Sequence, residues 1–143
     1  MFKHNIAYTD FNGTERQEDF YFHLSSPEVI RLEAEIGKPI DEYTKELAAQ
    51  MNVKELIDFL EKIILNSYGR KTSDGKSFHK SKELREEFEH SQAYAELFEQ
   101  LILNPELAQR FGQGVADNGK ARKNQVQPQV VPAGMPMGAS PLA

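Results

Sequence analysis

Four histidines and a few paired carboxylates are the residues of this 143-residue chain best equipped for chemistry. A metal site needs imidazole, thiolate or carboxylate donors at short ligand spacing. His4, His23, His79 and His90 share no such spacing, no H-E-x-x-H run occurs, and there is no cysteine. Asp41-Glu42 and Glu86-Glu87 have the pairing that general acid–base catalysis uses. Both pairs fall in amphipathic helical patterns, where solvated carboxylates are the ordinary outcome. Gly112-x-Gly114 lacks the third glycine and the strand–turn–helix context of a dinucleotide site. No G-x-x-x-x-G-K-[ST] loop occurs, and Ser140, between Ala139 and Pro141, has no nucleophile elbow. The sequence predicts a protein that is not an enzyme and holds no metal or cofactor.

The bulk properties narrow the class further. A chain of this length is one domain with room for an appendage. The absence of cysteine excludes a disulfide framework and fits a reducing compartment. Met1 to Asn5 precede no apolar stretch of the signal-peptide kind, and the purely apolar run around Ile63-Ile64-Leu65 is far short of a bilayer span. These features predict a soluble protein with no membrane partner. Residues 116–143 hold Asp117 against Lys120, Arg122 and Lys123, a net of +2, which leaves −7 of the chain's −5 on residues 1–115. An acidic domain repels phosphate backbones and predicts no nucleic-acid partner.

The elements that would carry any site are legible from pattern. Lys3–Thr9 and Glu18–Leu24 read as a β-hairpin around Asn12-Gly13, with Phe20, Phe22 and Leu24 on one face. A lone hairpin is marginal in water, so this one must lie on helices or pair with another chain. Helices follow through residues 27–113. Ser25-Ser26-Pro27-Glu28 opens the first and Gly37 ends it. The second spans Asp41–Met51, and Asn52 with Glu55 reads as a capping box for the third. Val53, Leu56, Ile57, Leu60, Ile63, Ile64 and Tyr68 give that third helix a continuous apolar stripe, the pattern of a central core helix. On this reading Leu60→Asp unfolds the domain. Gly69 reads as the helix's terminating glycine, followed by Arg70-Lys71 at its negative end. Thr72–Lys76 is a turn, Ser81 caps a fourth helix, and Ser91 caps or bends the next. Asn104-Pro105-Glu106 starts a last short helix that ends in Gly112-Gln113-Gly114.

The predicted architecture is thus α+β and mostly helical. An N-terminal hairpin (3–24) leads into about five or six helices, with the domain covering 1–115. Residues 116–143 hold Pro128, Pro132, Pro136 and Pro141 and no aromatic residue, a composition that predicts a disordered tail.

One set of segments resembles a known family. Tyr8-Thr9-Asp10-Phe11-Asn12-Gly13-Thr14-Glu15-Arg16 is followed by Phe20-Tyr21-Phe22-His23-Leu24. Further along come Ser67-Tyr68-Gly69, Asp74-Gly75-Lys76-Ser77-Phe78, Leu84-Arg85-Glu86-Glu87-Phe88, Ser91-Gln92-Ala93-Tyr94 and Phe111-Gly112-Gln113-Gly114. In this order and spacing, over most of residues 1–115, they resemble the tail assembly chaperones of long-tailed bacteriophages, encoded just upstream of the tape-measure protein.

The resemblance implies a chaperone that binds the long helical tape-measure protein, keeps it soluble and helps recruit tail tube protein. It places the chain in the host cell cytoplasm and outside the mature virion. It also implies a frameshifted long form of the same chain as a partner, with Gly119-Lys120 a candidate slip region. A chaperone for a helical client needs apolar surface. The candidate partner-binding residues are Tyr94, Leu97, Phe98 and Leu101, with the hairpin face, and Met135 and Met137 in the tail. The alternatives are a structural tail-completion or tube-associated virion protein, and a small helical adaptor unconnected with phage.

Overall fold

The computed structural model describes residues 1–116. The chain runs β1 (Phe2–Thr9), β2 (Glu15–Phe22), α1 (Ser26–Ile36), α2 (Ile40–Ala49), α3 (Val53–Ser67), β3 (Tyr68–Lys71), β4 (Phe78–His79), α4 (Lys82–Glu89), α5 (Gln92–Leu103) and α6 (Pro105–Ala116). The α+β class holds, with an N-terminal hairpin and six helices among the described residues. The tail expected to be disordered lies, from residue 117 onward, outside the described residues.

The hairpin is longer on its second strand than its apolar pattern suggests. Phe2 pairs with Phe22 and the register continues without a break to Thr9 and Glu15, so β2 starts at Glu15 and stops at Phe22, not at 18 and 24. The polar run Glu15–Asp19 was unreadable as a strand because both its faces are exposed at the hairpin's outer half. The Asp10 carboxylate closes the turn, accepting from the Asn12 and Thr14 backbone N–H groups at 2.9 Å each and from Arg16 Nε at 2.6 Å. The hydrogen bond from Arg16, with the N–H groups behind it, holds that carboxyl below its usual range.

A second short hairpin completes the sheet, in the order β1-β2-β3-β4, all antiparallel. It was not expected. Tyr68 and Gly69 do not cap α3; the helix ends at Ser67 and the chain turns directly into β3, where Gly69 pairs with Tyr21. The glycine is there for close approach. A Cβ at Gly69 would stand 2.5 Å from the His79 carbonyl oxygen and 2.6 Å from the Phe78 ring. Gly69→Ala should therefore cost about 1–3 kcal/mol, because backbone has to move. A melting temperature equal to wild type would show that the second hairpin yields freely.

Helix starts follow the hydroxyl signals. Ser25 and Glu28 form a reciprocal capping box, Ser81 Oγ accepts from Leu84 N–H, and Ser91 Oγ accepts from Tyr94 N–H, so Ser91 caps α5. Asn52, in contrast, makes no side-chain cap, and its expected box with Glu55 does not form. The tight reversal that precedes it holds Met51 at φ 56°. The last helix passes through Gly112 and Gly114 to Ala116 instead of ending there. A Cβ at Gly114 would meet the Phe2 ring at 2.7 Å, so this glycine lets α6 lie against β1. The Val115 carbonyl accepts from Leu24 N–H at 2.8 Å, which ties the end of α6 to the chain leaving β2.

Aromatic rings join the sheet to the helices. Phe22 of β2 is fully buried, with ring centroids 5.2 Å from Phe111 of α6, 5.7 Å from Phe88 of α4 and 5.8 Å from Tyr68 of β3. Tyr68 stacks on Phe88 at 4.2 Å, and Phe2 meets Phe111 edge-on at 5.3 Å. Ile6, Leu97, Leu101 and Val115 fill the space between.

The apolar stripe of α3 is only partly core. Phe59, Ile63 and Ile64 are buried, Leu56, Ile57 and Leu60 are half-buried, and Val53 is 59% exposed. Leu60 is thus not enclosed. A carboxylate placed there by Leu60→Asp reaches the open side of a cleft, which corrects the expectation that the substitution unfolds the domain.

Candidate functional site

Three helices supply an open apolar cleft. Its floor comes from α3, with Leu56, Phe59, Leu60 and Ile63, and from Leu101 of α5 and Phe111 of α6. Its walls are thin. Thr44 and Ala48 on α2, and Ala108 and Gly112 on α6, are small residues four apart, on one face of each helix. Bulky residues below and small residues at the sides leave a gap of about 420 Å³. That is within the range of roughly 300–1,000 Å³ typical of ligand clefts. Asp41, Lys45, Gln109 and Gln113 supply the polar lining.

The cleft's rim continues in exposed apolar side chains. Ile102 is 39% exposed and lines the cleft beside Val53, while the neighbouring Leu103 is 75% exposed. An open, largely apolar cleft between helices is a place for another apolar element, above all an amphipathic helix offering side chains at i, i+3, i+4 and i+7.

A second concavity, of about 310 Å³, lies between α1, α3 and α4 and is polar. Lys80 is its centre. Its ammonium donates to Glu28 Oε1 and Oε2 at 2.7 and 2.8 Å, to the His23 carbonyl at 2.9 Å and to the Asn66 carbonyl at 3.0 Å. This one side chain links the end of β2, the start of α1, the end of α3 and the entry to α4. Burial works against ionisation of Glu28, but the hydrogen bonds from Lys80 and Ser25 outweigh it and hold the carboxyl below its ordinary 4.5.

His23 stands beside this hub with its Nδ1 buried and without a hydrogen-bond partner among the described residues. Burial depresses its pKa below 6.5, and the charges of the N-terminal ammonium and Lys80 add to the effect. The unfolded chain therefore binds more protons than the folded one as pH falls through 6.5. The neutral histidine's contribution is complete above pH 6.5 and is lost towards the lower folded pKa. The melting temperature should fall between pH 7 and pH 5, and His23→Phe should flatten that slope. An unchanged slope in the variant would place the acid sensitivity elsewhere.

The sequence-predicted binding residues divide three ways. Leu97 and Leu101, at 0% and 2% exposure, lie in the core and offer no surface, although Leu101 forms part of the cleft floor. Tyr94 and Phe98 are half-buried, with ring centroids 5.8 Å apart. The Tyr94 hydroxyl donates to Glu61 Oε2 at 3.1 Å, and burial followed by the charge of Glu61 raises its pKa. Met135 and Met137 lie outside the described residues. The hairpin face proposed as client surface is instead the face that holds the core, with Ile6 and Phe22 fully buried.

Sequence reading missed the cleft because the α3 stripe looks the same whether covered or open. The available signal was the shortage of bulk opposite it, in Thr44, Ala48, Ala108 and Gly112. Among the described residues no group of three or more His, Cys, Asp or Glu side chains is placed to hold a metal. No helix among them is long and apolar enough to cross a membrane.

A small α+β domain whose largest apolar feature is an open cleft between helices is built for binding. The chain belongs to the phage tail assembly chaperone family, whose model matches residues 1–127 and so runs beyond Val115, where the resembling segments end. No curated protein and no solved structure matches it.

Proposed function

We propose that this chaperone holds helical segments of the tape-measure protein in the cleft formed by α2, α3 and α6. The observation that carries the reading is the cleft itself, which has an apolar floor, small-residue walls and an exposed apolar rim. An unassembled tape-measure protein exposes apolar helical faces with no partner yet in place. Covering one face at a time removes apolar area from water at about 25 cal/mol per Å², while the −7 charge of residues 1–115 keeps the complex soluble. The work is binding without catalysis, carried out in the host cell cytoplasm. The chaperone leaves before the particle is complete, after tail tube protein has joined, and a frameshifted long form of the chain shares the task.

Co-expression with the protein encoded next downstream tests the reading. The long partner should be soluble only with this chain and should co-purify with it. An insoluble partner in both cases, together with this chain in purified particles, would instead make it a structural tail protein.

A further inference from the structure

The free edge of the sheet is shaped for a second copy of the same chain. β1 is the outermost strand, and its eight residues contain no proline, glycine or bulge. Two observations fix which backbone groups face outward. Asp10 N–H donates to the Thr14 carbonyl, so that pair is a hydrogen-bonded one, and the bonded pairs of the same register alternate from there as Tyr8–Arg16, Ile6–Glu18, His4–Phe20 and Phe2–Phe22. Independently, His23 N–H donates to Ser67 on the β3 side, so odd-numbered residues of β2 turn towards β3 and even-numbered ones towards β1. Both observations leave the N–H and C=O groups of Lys3, Asn5, Ala7 and Thr9 pointing away from the sheet. None of them has a backbone partner among the described residues.

Long unprotected edges are templates for strand addition, and proteins blunt them with charges, prolines or bulges. Here the only charged residue of β1 is Lys3, near one end. We infer that two copies pair antiparallel through β1 about a two-fold axis at Ile6, forming one continuous eight-stranded sheet. In that register Lys3 faces Thr9 and Asn5 faces Ala7 of the second copy. All four outward residues are used, giving about eight hydrogen bonds at two per narrow pair. No like charges oppose one another, since each Lys3 lies opposite a threonine. On the other face His4 meets Tyr8 and Ile6 meets its own equivalent, beside the α5 helices that both lie on that side. The contact is isologous, so it closes at two copies.

The edge is separate from the cleft, and the pairing stands without the client reading. If that reading also holds, a dimer presents two clefts to one long helical client, and linked sites gain avidity without new contacts.

Sedimentation equilibrium of the full chain over a wide concentration range reads the pairing directly. The expected result is reversible association to twice the 16.3 kDa chain mass. Ala7→Pro removes one outward N–H and no internal hydrogen bond, a position where proline is tolerated, so it should keep the wild-type circular dichroism spectrum and remain monomeric. Two further variants test the register without touching the backbone. Thr9→Lys sets like charges opposite Lys3 twice per dimer and should weaken association by about tenfold, whereas Thr9→Glu should strengthen it. A wild-type chain that stays monomeric, or Thr9→Lys and Thr9→Glu variants that associate equally, would overturn the inference. So would a folded Ala7→Pro variant that dimerises like wild type.

Discussion

Ala48→Phe should leave the domain folded and abolish its hold on the client. Ala48 is exposed on the α2 wall of the cleft, so the larger ring enters open space and displaces no core residue. The helix-propensity difference costs about 0.5 kcal/mol, and covering the apolar floor offsets it, so the melting temperature should stay within about 3 °C of wild type. The ring occupies the volume a client side chain would take. Recovery of co-expressed tape-measure protein should fall by at least about tenfold, corresponding to 1.4 kcal/mol or more. Ala49→Phe is the control, because Ala49 is exposed on the same helix but does not line the cleft. A folded Ala48→Phe variant that retains the client at wild-type level would remove the cleft from the mechanism. Equal losses in both variants would point to a general effect of apolar surface on α2.

That the site eluded the sequence while the class of fold did not follows from what periodicity records. An apolar stripe says that a helix has one face out of keeping with water; it does not say what lies opposite. Leu56, Ile57 and Leu60 share the stripe with Ile63 and Ile64, yet the first three are half-buried and the last two enclosed. The difference arises in the helices that flank α3, from Thr44 and Ala48 on one side and Ala108 and Gly112 on the other. The α5 stripe is the converse. Tyr94, Leu97, Phe98 and Leu101 looked available for a partner, but β1 packs across them and takes the leucines into the core.

The misread elements have a common physical origin. Glycine at the end of an apolar helix usually signals a left-handed cap, and Gly69 carried that signal. Its actual role, close approach to the backbone of His79, depends on a strand pairing that no local pattern reports. Gly112 and Gly114 misled in the same way: Gly114 admits the Phe2 ring from a strand more than a hundred residues earlier in the chain. By contrast, Ser25, Ser81 and Ser91 were read correctly because a cap is satisfied within one helical turn. Local hydrogen-bonding signals survive folding unchanged, and signals whose meaning lies in a distant partner do not.

Phe22→Ala should be the most damaging single truncation, at about 3–5 kcal/mol. The alternation of Phe20, Phe22 and Leu24 already marked an inward face; the structure shows why the middle residue matters most. Its ring touches Tyr68, Phe88 and Phe111, so it joins the second hairpin, α4 and α6 to the first hairpin at one point. With no exposed surface around the site, removing the ring leaves a void walled by three other rings whose own packing fixes their positions. Small domains are stable by only about 5–15 kcal/mol, so the variant should melt more than about 10 °C below wild type. Phe11→Ala provides the comparison: at 77% exposure on the hairpin tip, it should change the melting temperature very little. Equal melting of the two variants would mean that the sheet and helices are held together elsewhere. A large loss confined to Phe22→Ala would instead establish that the aromatic cluster keeps α6 in place, and with it the wall and floor residues that α6 contributes to the cleft.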